Sequence, residues 1–118
     1  HKQGTFNRVI NTEETLITAL QRREQPAFKH LYGHYRGALF HAIRQIINDE
    51  ETAADVLQET FITVWKNIDK YDPSKGRLFT WLLRLARNAA INKTRSKLFK
   101  SQQKNADLDP YVNYLEEQ

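Results

Sequence analysis

Apolar residues in this chain recur at three- and four-residue steps and do not alternate over the length of a strand, a periodicity that predicts helices and an all-α fold. A first helix is expected from about Thr12 to Arg23, with Thr12 as its N-cap and Leu16, Ile17 and Leu20 facing inward. Pro26 suits the first turn of a second helix, which should reach about Ile47. Its inner residues would be Phe28, Leu31, Tyr35, Leu39, Ala42 and Ile46, at spacings of three, four, four, three and four. The polar NDEE segment ends that helix, and Thr52 followed by Asp55 offers a capping-box-like start for a third. Pro73 disfavours helical geometry at Asp72 and so closes the third helix before the turn. A fourth begins near Gly76 or Arg77. After Leu98 the polar KSQQKNADLDP stretch reads as a linker to a short YVNYLEEQ tail. The expected architecture is a compact bundle of three to four helices within residues 1–98, followed by a linker and tail over 99–118.

Helical phasing separates two faces on the third helix. Ala54, Leu57, Phe61, Val64 and Ile68 fall within about 80° of arc and form the expected core stripe. Asp55, Gln58, Glu59, Ile62 and Lys66 lie opposite. That acidic and amide stripe fits either a docking site for a basic helix or a solvated face, and Trp65 on its border suits packing. On the fourth helix Leu78, Leu82, Leu85, Ala86 and Ala89 form the buried stripe. Arg77, Trp81, Arg84, Arg87, Asn88, Ile91 and Arg95 occupy the other side, with Trp81 read as packing. Arg neutralises phosphates and Asn bonds base edges, so this face carries nucleic-acid chemistry or, in the plainer reading, a solubilising basic surface.

Charge sharpens the contrast between the two helices. Nine Lys or Arg residues and no acid lie between Pro73 and Ala106, whereas Asp49 to Glu59 holds five acids and no base. The net charge is only +4, so the local sorting is more telling than the total. With 118 residues and 40% hydrophobic content, the chain can bury one modest core. Cysteine is absent, which excludes disulfides, thiolate metal sites and Cys nucleophiles and fits a reducing compartment. No apolar run approaches the roughly 20 residues that span a bilayer, and no signal peptide is visible. The chain therefore reads as soluble and intracellular, with no membrane insertion. It starts at His1 rather than Met, so its natural ends are expected to lie beyond it.

Taken as a set, DVLQETFITVWKNIDKYDPSKGRLFTWLLRLARNAAINKTRSK closely resembles region 2, the central conserved domain of bacterial sigma factors. Its compact form is similar to the extracytoplasmic-function group of the sigma-70 family. The resemblance begins at AFKHLYGHYRGALFHAIRQIINDEETAADV and covers residues 12 to 98 in all. It implies a cytoplasmic bacterial transcription initiation factor that joins core RNA polymerase, recognises the −10 promoter element and helps melt it. The family's polymerase-docking helix matches Asp55, Gln58, Glu59 and Trp65, with Ile62 and Lys66 on the same stripe, and would contact the β′ clamp coiled coil. The promoter reader matches the Lys70 to Gly76 loop, with Lys70, Tyr71 and Lys75, together with the fourth helix, with Arg77, Arg84, Arg87, Asn88, Ile91 and Arg95. In that group the positions of Tyr71 and Asn88 help form a pocket for a flipped non-template base. Tyr71 also suits a turn anchored against the core, and both readings stand. An anti-sigma factor is a common partner in this group and would compete at the docking stripe.

Two departures limit the mechanism that the resemblance implies. Primary sigma factors wedge the duplex with paired tryptophans, and the matching positions here hold Arg84 and Leu85. Melting would then depend more on trapping the flipped base. Nothing resembles the C-terminal helix-turn-helix that reads the −35 element, so the chain is expected to be the promoter-melting half of a two-domain factor. No enzyme is expected, and no cofactor or metal. His30, His34 and His41 stand at i, i+4 and i+11, but no carboxylate follows at ligand spacing, which favours solvated histidines over a metal site. No nucleophile and base pair up, and no Gly-rich phosphate loop occurs. The alternative function is a helical protein-interaction domain with a non-specific basic face.

Overall fold

The computed structural model describes residues 12–108; the YVNYLEEQ tail and residues 1–11 lie outside them. Four helices follow in order: α1 Glu13–Gln21, α2 Gln25–Arg44, α3 Glu50–Asn67 and α4 Leu78–Leu108. Two short 3-10 turns, Ile68–Lys70 and Pro73–Lys75, join α3 to α4. The bundle is all-α, as expected. Helix α3 packs on both α2 and α4, α4 also packs on α2, and α1 lies across α2 and the first 3-10 turn.

Capping fixes where the helices begin. The Thr12 hydroxyl accepts from the Thr15 backbone N–H at 3.3 Å, starting α1 one residue later. Helix α3 starts two residues before the Thr52 expected as its cap. Asp49 holds extended backbone geometry, and its carboxylate accepts from the Thr52 N–H at 2.9 Å and the Thr52 hydroxyl at 2.5 Å. A carboxylate also favours the positive end of the helix dipole, which gives Asp49 the advantage over Thr52. Helix α2 stops at Arg44, three residues short of Ile47, although Ile47 stays buried. Helix α4 runs ten residues past Leu98 to Leu108, so the stretch read as a linker is helical through that point.

The core stripes sit close to their expected phase, with one rotation. Leu16, Ile17 and Leu20 of α1 are buried as expected, as are Leu31, Leu39 and Ala42 of α2. Phe28, Tyr35 and Ile46 are only half-buried, and Ala27 and Ile43 take their place in the interior. On α3 the buried residues are Ala53, Val56, Thr60, Val64 and Ile68. Ala54 is exposed and Leu57 and Phe61 are half-buried, contrary to the expected stripe. Two neighbours close on α3 at once, and smaller side chains allow the nearest approach. Thr60 is fully buried but satisfied, its hydroxyl donating to the Val56 carbonyl at 2.7 Å. On α4 Leu78, Leu82, Ala86 and Ala90 are buried, while Leu85 and Ala89 sit at the margin.

The turn between α1 and α2 carries one unusual backbone. Arg23 has φ 60°, in the left-handed region that helix C-termini normally give to Gly. Its N–H bonds to the Leu20 carbonyl at 2.9 Å and the Glu24 N–H to the Ala19 carbonyl at 3.1 Å, the paired bonds of a Schellman stop. Tertiary contacts explain why an arginine stands there. The guanidinium donates to the Trp65 carbonyl, lies 5.4 Å from the Trp65 ring centre and is 3.6 Å from the Asp69 carboxylate. Arg23→Ala should keep the backbone cost and lose these contacts, while Arg23→Gly relieves the cost. Chemical denaturation should therefore find the Gly variant about 1 kcal/mol more stable than the Ala variant. Equal stability would mean that the left-handed geometry costs nothing at this turn.

Candidate nucleic-acid interface

The loop between α3 and α4 is built around Tyr71. Its ring is 5% exposed, packs 5.1 Å from the Trp81 ring, and its hydroxyl donates to the Gly76 carbonyl at 2.7 Å. Burial pushes the Tyr71 phenol above its ordinary value, which keeps it protonated and donating. Asp72 then starts the second 3-10 turn by accepting from the Ser74 N–H at 2.9 Å and the Ser74 hydroxyl at 2.7 Å. Around these fixed points opens a cavity of about 190 Å³, lined by Lys70, Tyr71, Asp72, Lys75, Gly76, Arg77, Thr80, Trp81 and Arg84. Four cations and one carboxylate meet there.

Most of the residues expected to read nucleic acid fall on this side of the molecule. Lys70, Lys75, Arg77 and Arg84 line the cavity, while Arg87, Asn88, Ile91 and Arg95 continue along the exposed face of α4. Of the Tyr71 and Asn88 pair, only Tyr71 lines the cavity. Tyr71 forms the inner wall with its hydroxyl already bonded, and Asn88 lies outside the lining, one helical turn beyond Arg84. Asp72 lines the cavity within the expected loop, and Thr80 and Trp81 of α4 line it beyond the residues expected to read nucleic acid. For Thr80 the signal was available, since it lies three residues after Arg77 and four before Arg84, on one helix face.

A second surface lies on α3. Asp55, Gln58, Glu59, Ile62 and Lys66 are exposed, and Ile62 is 48% accessible although apolar. Beside them runs a groove of about 490 Å³ lined by Tyr32, Ala54, Leu57, Gln58, Phe61, Ile62 and Trp65. Trp65 is 37% exposed, with its edge on Phe28 at 4.3 Å and Arg23 over its ring. The two charged stripes meet along the α3–α4 seam. Lys93 is 3.4 Å from Glu59, and the Lys97 ammonium donates to the Thr52 hydroxyl at 3.0 Å. His30 and His34 stack in parallel at 5.8 Å on α2; among the described residues no three His, Cys, Asp or Glu side chains group as metal ligands.

Residues 31–98 match the family model for Sigma-70 region 2. The chain belongs to that family. Its curated relatives include the ECF RNA polymerase sigma factor SigK of Mycobacterium sp. (strain KMS), 27% identical over 106 residues, covering 86% of this chain and 55% of that protein. SigK of Mycolicibacterium vanbaalenii is 30% identical over 84 residues, covering 71% and 43% respectively. The chain thus spans about half the length of the curated relatives it matches. Among solved structures, an engineered region 2 of sigmaE in complex with GTAAAA superposes with a TM-score of 0.66 at 28% identity. The match covers 73% of this chain and 88% of that one.

In this region 2 domain, α1 lies ahead of the matched stretch and still reaches the loop. One Glu13 oxygen accepts from the Leu78 N–H at 3.1 Å and the other from the Arg77 guanidinium at 3.1 Å. The Gln21 amide donates to the carbonyls of Ile68 at 3.3 Å and Tyr71 at 3.1 Å. The Leu78 N–H holds the Glu13 carboxyl below the ordinary carboxylate range; burial opposes this and Arg77 assists it. A carboxyl lowered by folding stabilises the fold above its unfolded value, and that contribution disappears as pH falls through the lowered one. Glu13→Ala should therefore cost roughly 1 kcal/mol near neutrality, discounted for partial exposure. It should also flatten the acid limb of stability as pH falls through and below the ordinary carboxylate value. Thermal melts across that range check this; a constant gap between wild type and variant at every pH would rule out the charged cap.

Proposed function

We propose that this chain is the promoter-opening domain of an extracytoplasmic-function sigma factor, acting in the bacterial cytoplasm without cofactor or catalysis. The observation that carries the reading is the cationic cavity at the head of α4, in a chain of the region 2 family whose solved relative binds GTAAAA. At about 190 Å³ the cavity is well below the roughly 300–1,000 Å³ of clefts for drug-sized ligands and suits one extruded base. Lys70, Lys75, Arg77 and Arg84 at its rim would hold the flanking phosphates of the −10 non-template strand. The half-buried Trp81, backed by Tyr71, supplies the stacking wall. Extrusion costs a few kcal/mol, and aromatic stacking of about 1–3 kcal/mol with edge hydrogen bonds offsets much of it. Arg87, Asn88, Ile91 and Arg95 carry the strand onward along α4. Arg84 and the half-buried Leu85 stand where primary sigma factors carry the wedging tryptophans, so melting depends more on base capture.

The opposite surface serves core RNA polymerase. Asp55 and Glu59 complement a basic coiled coil such as the β′ clamp, and the apolar groove beside them takes its side chains, with Trp65, Gln58, Ile62 and Lys66 at the edge. An anti-sigma factor would compete there.

Fluorescence anisotropy with single-stranded non-template oligonucleotides tests the cavity. Trp81→Ala should abolish discrimination among bases at one position. Arg87→Ala should weaken every oligonucleotide alike and reduce the salt slope by about 1. Salt-sensitive binding indifferent to sequence would leave only a non-specific basic face on a protein-interaction domain. For the other surface, Gln58→Ala combined with Glu59→Lys should lose retention on a β′ clamp-helix fragment. Undiminished retention would sink the docking assignment.

A further inference from the structure

Helix α1 lies outside the stretch that matches the region 2 family, yet it holds both roots of the loop that forms the cavity. Glu13, at its first turn, takes the Leu78 N–H and the Arg77 guanidinium. Gln21, at its last turn, gives its amide hydrogens to the carbonyls of Ile68 and Tyr71. The first N–H of α4 is a group that a helix start leaves without an intrahelical partner, and the Ile68 carbonyl also accepts the Tyr71 N–H at 3.2 Å, so Gln21 adds a second bond where the first 3-10 turn closes. The bonds within the loop, Tyr71 to Gly76 and Asp72 to Ser74, fix its shape. Its placement against α4 rests on the Tyr71 ring packed on Trp81 and on α1, whose nine residues span about 12 Å between the two grips.

We propose that α1 is a brace that sets the base selectivity of the cavity, with Glu13 and Gln21 as its positioning residues. This rests on the promoter-reading function proposed above. Selection among bases depends on hydrogen-bond donors and acceptors held in place, and a loop with loose roots would sample several placements. Phosphate attraction needs no such precision. Glu13 also ties down and partly neutralises Arg77, whose side chain is otherwise 82% exposed at the cavity rim. Removing Glu13 thus has two opposite effects: the loop loosens and selectivity falls, while the freed arginine raises non-specific attraction for phosphates. A variant that merely unfolds would lose both together.

The test uses the full chain and fluorescent GTAAAA with its single-base replacements, measured with amide exchange at Leu78. Gln21→Ala should lower the ratio of best to worst dissociation constants roughly fivefold with little change in binding to the worst sequence. Glu13→Ala should lower the same ratio while tightening that non-specific binding, and should speed exchange at Leu78. Glu13→Gln, which keeps an acceptor for the Leu78 N–H, should recover part of the selectivity. If the wild type discriminates and both Ala variants retain its ratio, even with faster exchange at Leu78, the brace has no role in selectivity and the proposal is overturned. A wild type that binds every sequence alike overturns the promoter-reading function first, and the selectivity role with it.

Discussion

Helix α3 has to satisfy two neighbours at once, and the surfaces of this domain follow from that constraint. With α2 on one side and α4 on the other, the line of closest approach runs through Ala53, Val56, Thr60 and Val64, side chains small enough for both partners to close. Larger residues cannot occupy that line without pushing a helix away. Leu57 and Phe61 are therefore displaced to the margin, where with Tyr32 and Trp65 they line a groove instead of filling a core. An apolar groove bordered by Gln58, Asp55 and Glu59 is the form of a docking surface: an apolar centre with a polar rim. The packing of the interior and the chemistry of the exterior are consequences of one choice of side-chain size.

The sorted charges of α3 and α4 are not two isolated fields. Lys93 and Lys97 reach across the seam to Glu59 and Thr52, so the acidic stripe is partly covered by the helix that carries the basic one. Exposed pairs of this kind contribute roughly 0–1 kcal/mol and are readily exchanged for another partner. Positive charge is least offset at the head of α4 and beyond it along the exposed face. There Arg84 and Arg87 have no carboxylate partner among the ion pairs of the described residues. Arg77 differs in being held by Glu13.

What could be read from the sequence follows the range of the interactions involved. Helix order, the Thr12 cap and the inward faces of α1 and α4 depend on neighbours three or four positions apart, and periodicity exposes them. Val64 and Ile68 are buried as expected, but the first half of the α3 stripe was one residue off because a single-stripe pattern presumes one neighbour, and this helix has two. Asp49 displaced Thr52 as cap because two good capping residues stood three apart, and only geometry chooses between them. Glu13 and Gln21 left no local signal, since their partners lie 47 to 65 residues away. The cavity was half legible: its cations form a run along the sequence, but the burial of Tyr71 depends on how the loop folds back. The family resemblance supplied names for both partners, which no spacing could have done.

For the base capture proposed above, the bonds at the roots of the loop matter because its energetic margin is small. Fixing the backbone of one residue costs about 1–2 kcal/mol, whereas stacking one base returns about 1–3 kcal/mol. A loop that became ordered only on binding would cancel that return after two or three residues. Here the loop is held by contacts within the domain: Tyr71 is anchored on Trp81 and Gly76, Asp72 on Ser74, and both roots on α1. The conformational cost has moved from binding to folding, where the core shared by α2, α3 and α4 offsets it. A cavity of this size can then select a base on a difference of a single hydrogen bond, provided that the scaffold behind it does not move.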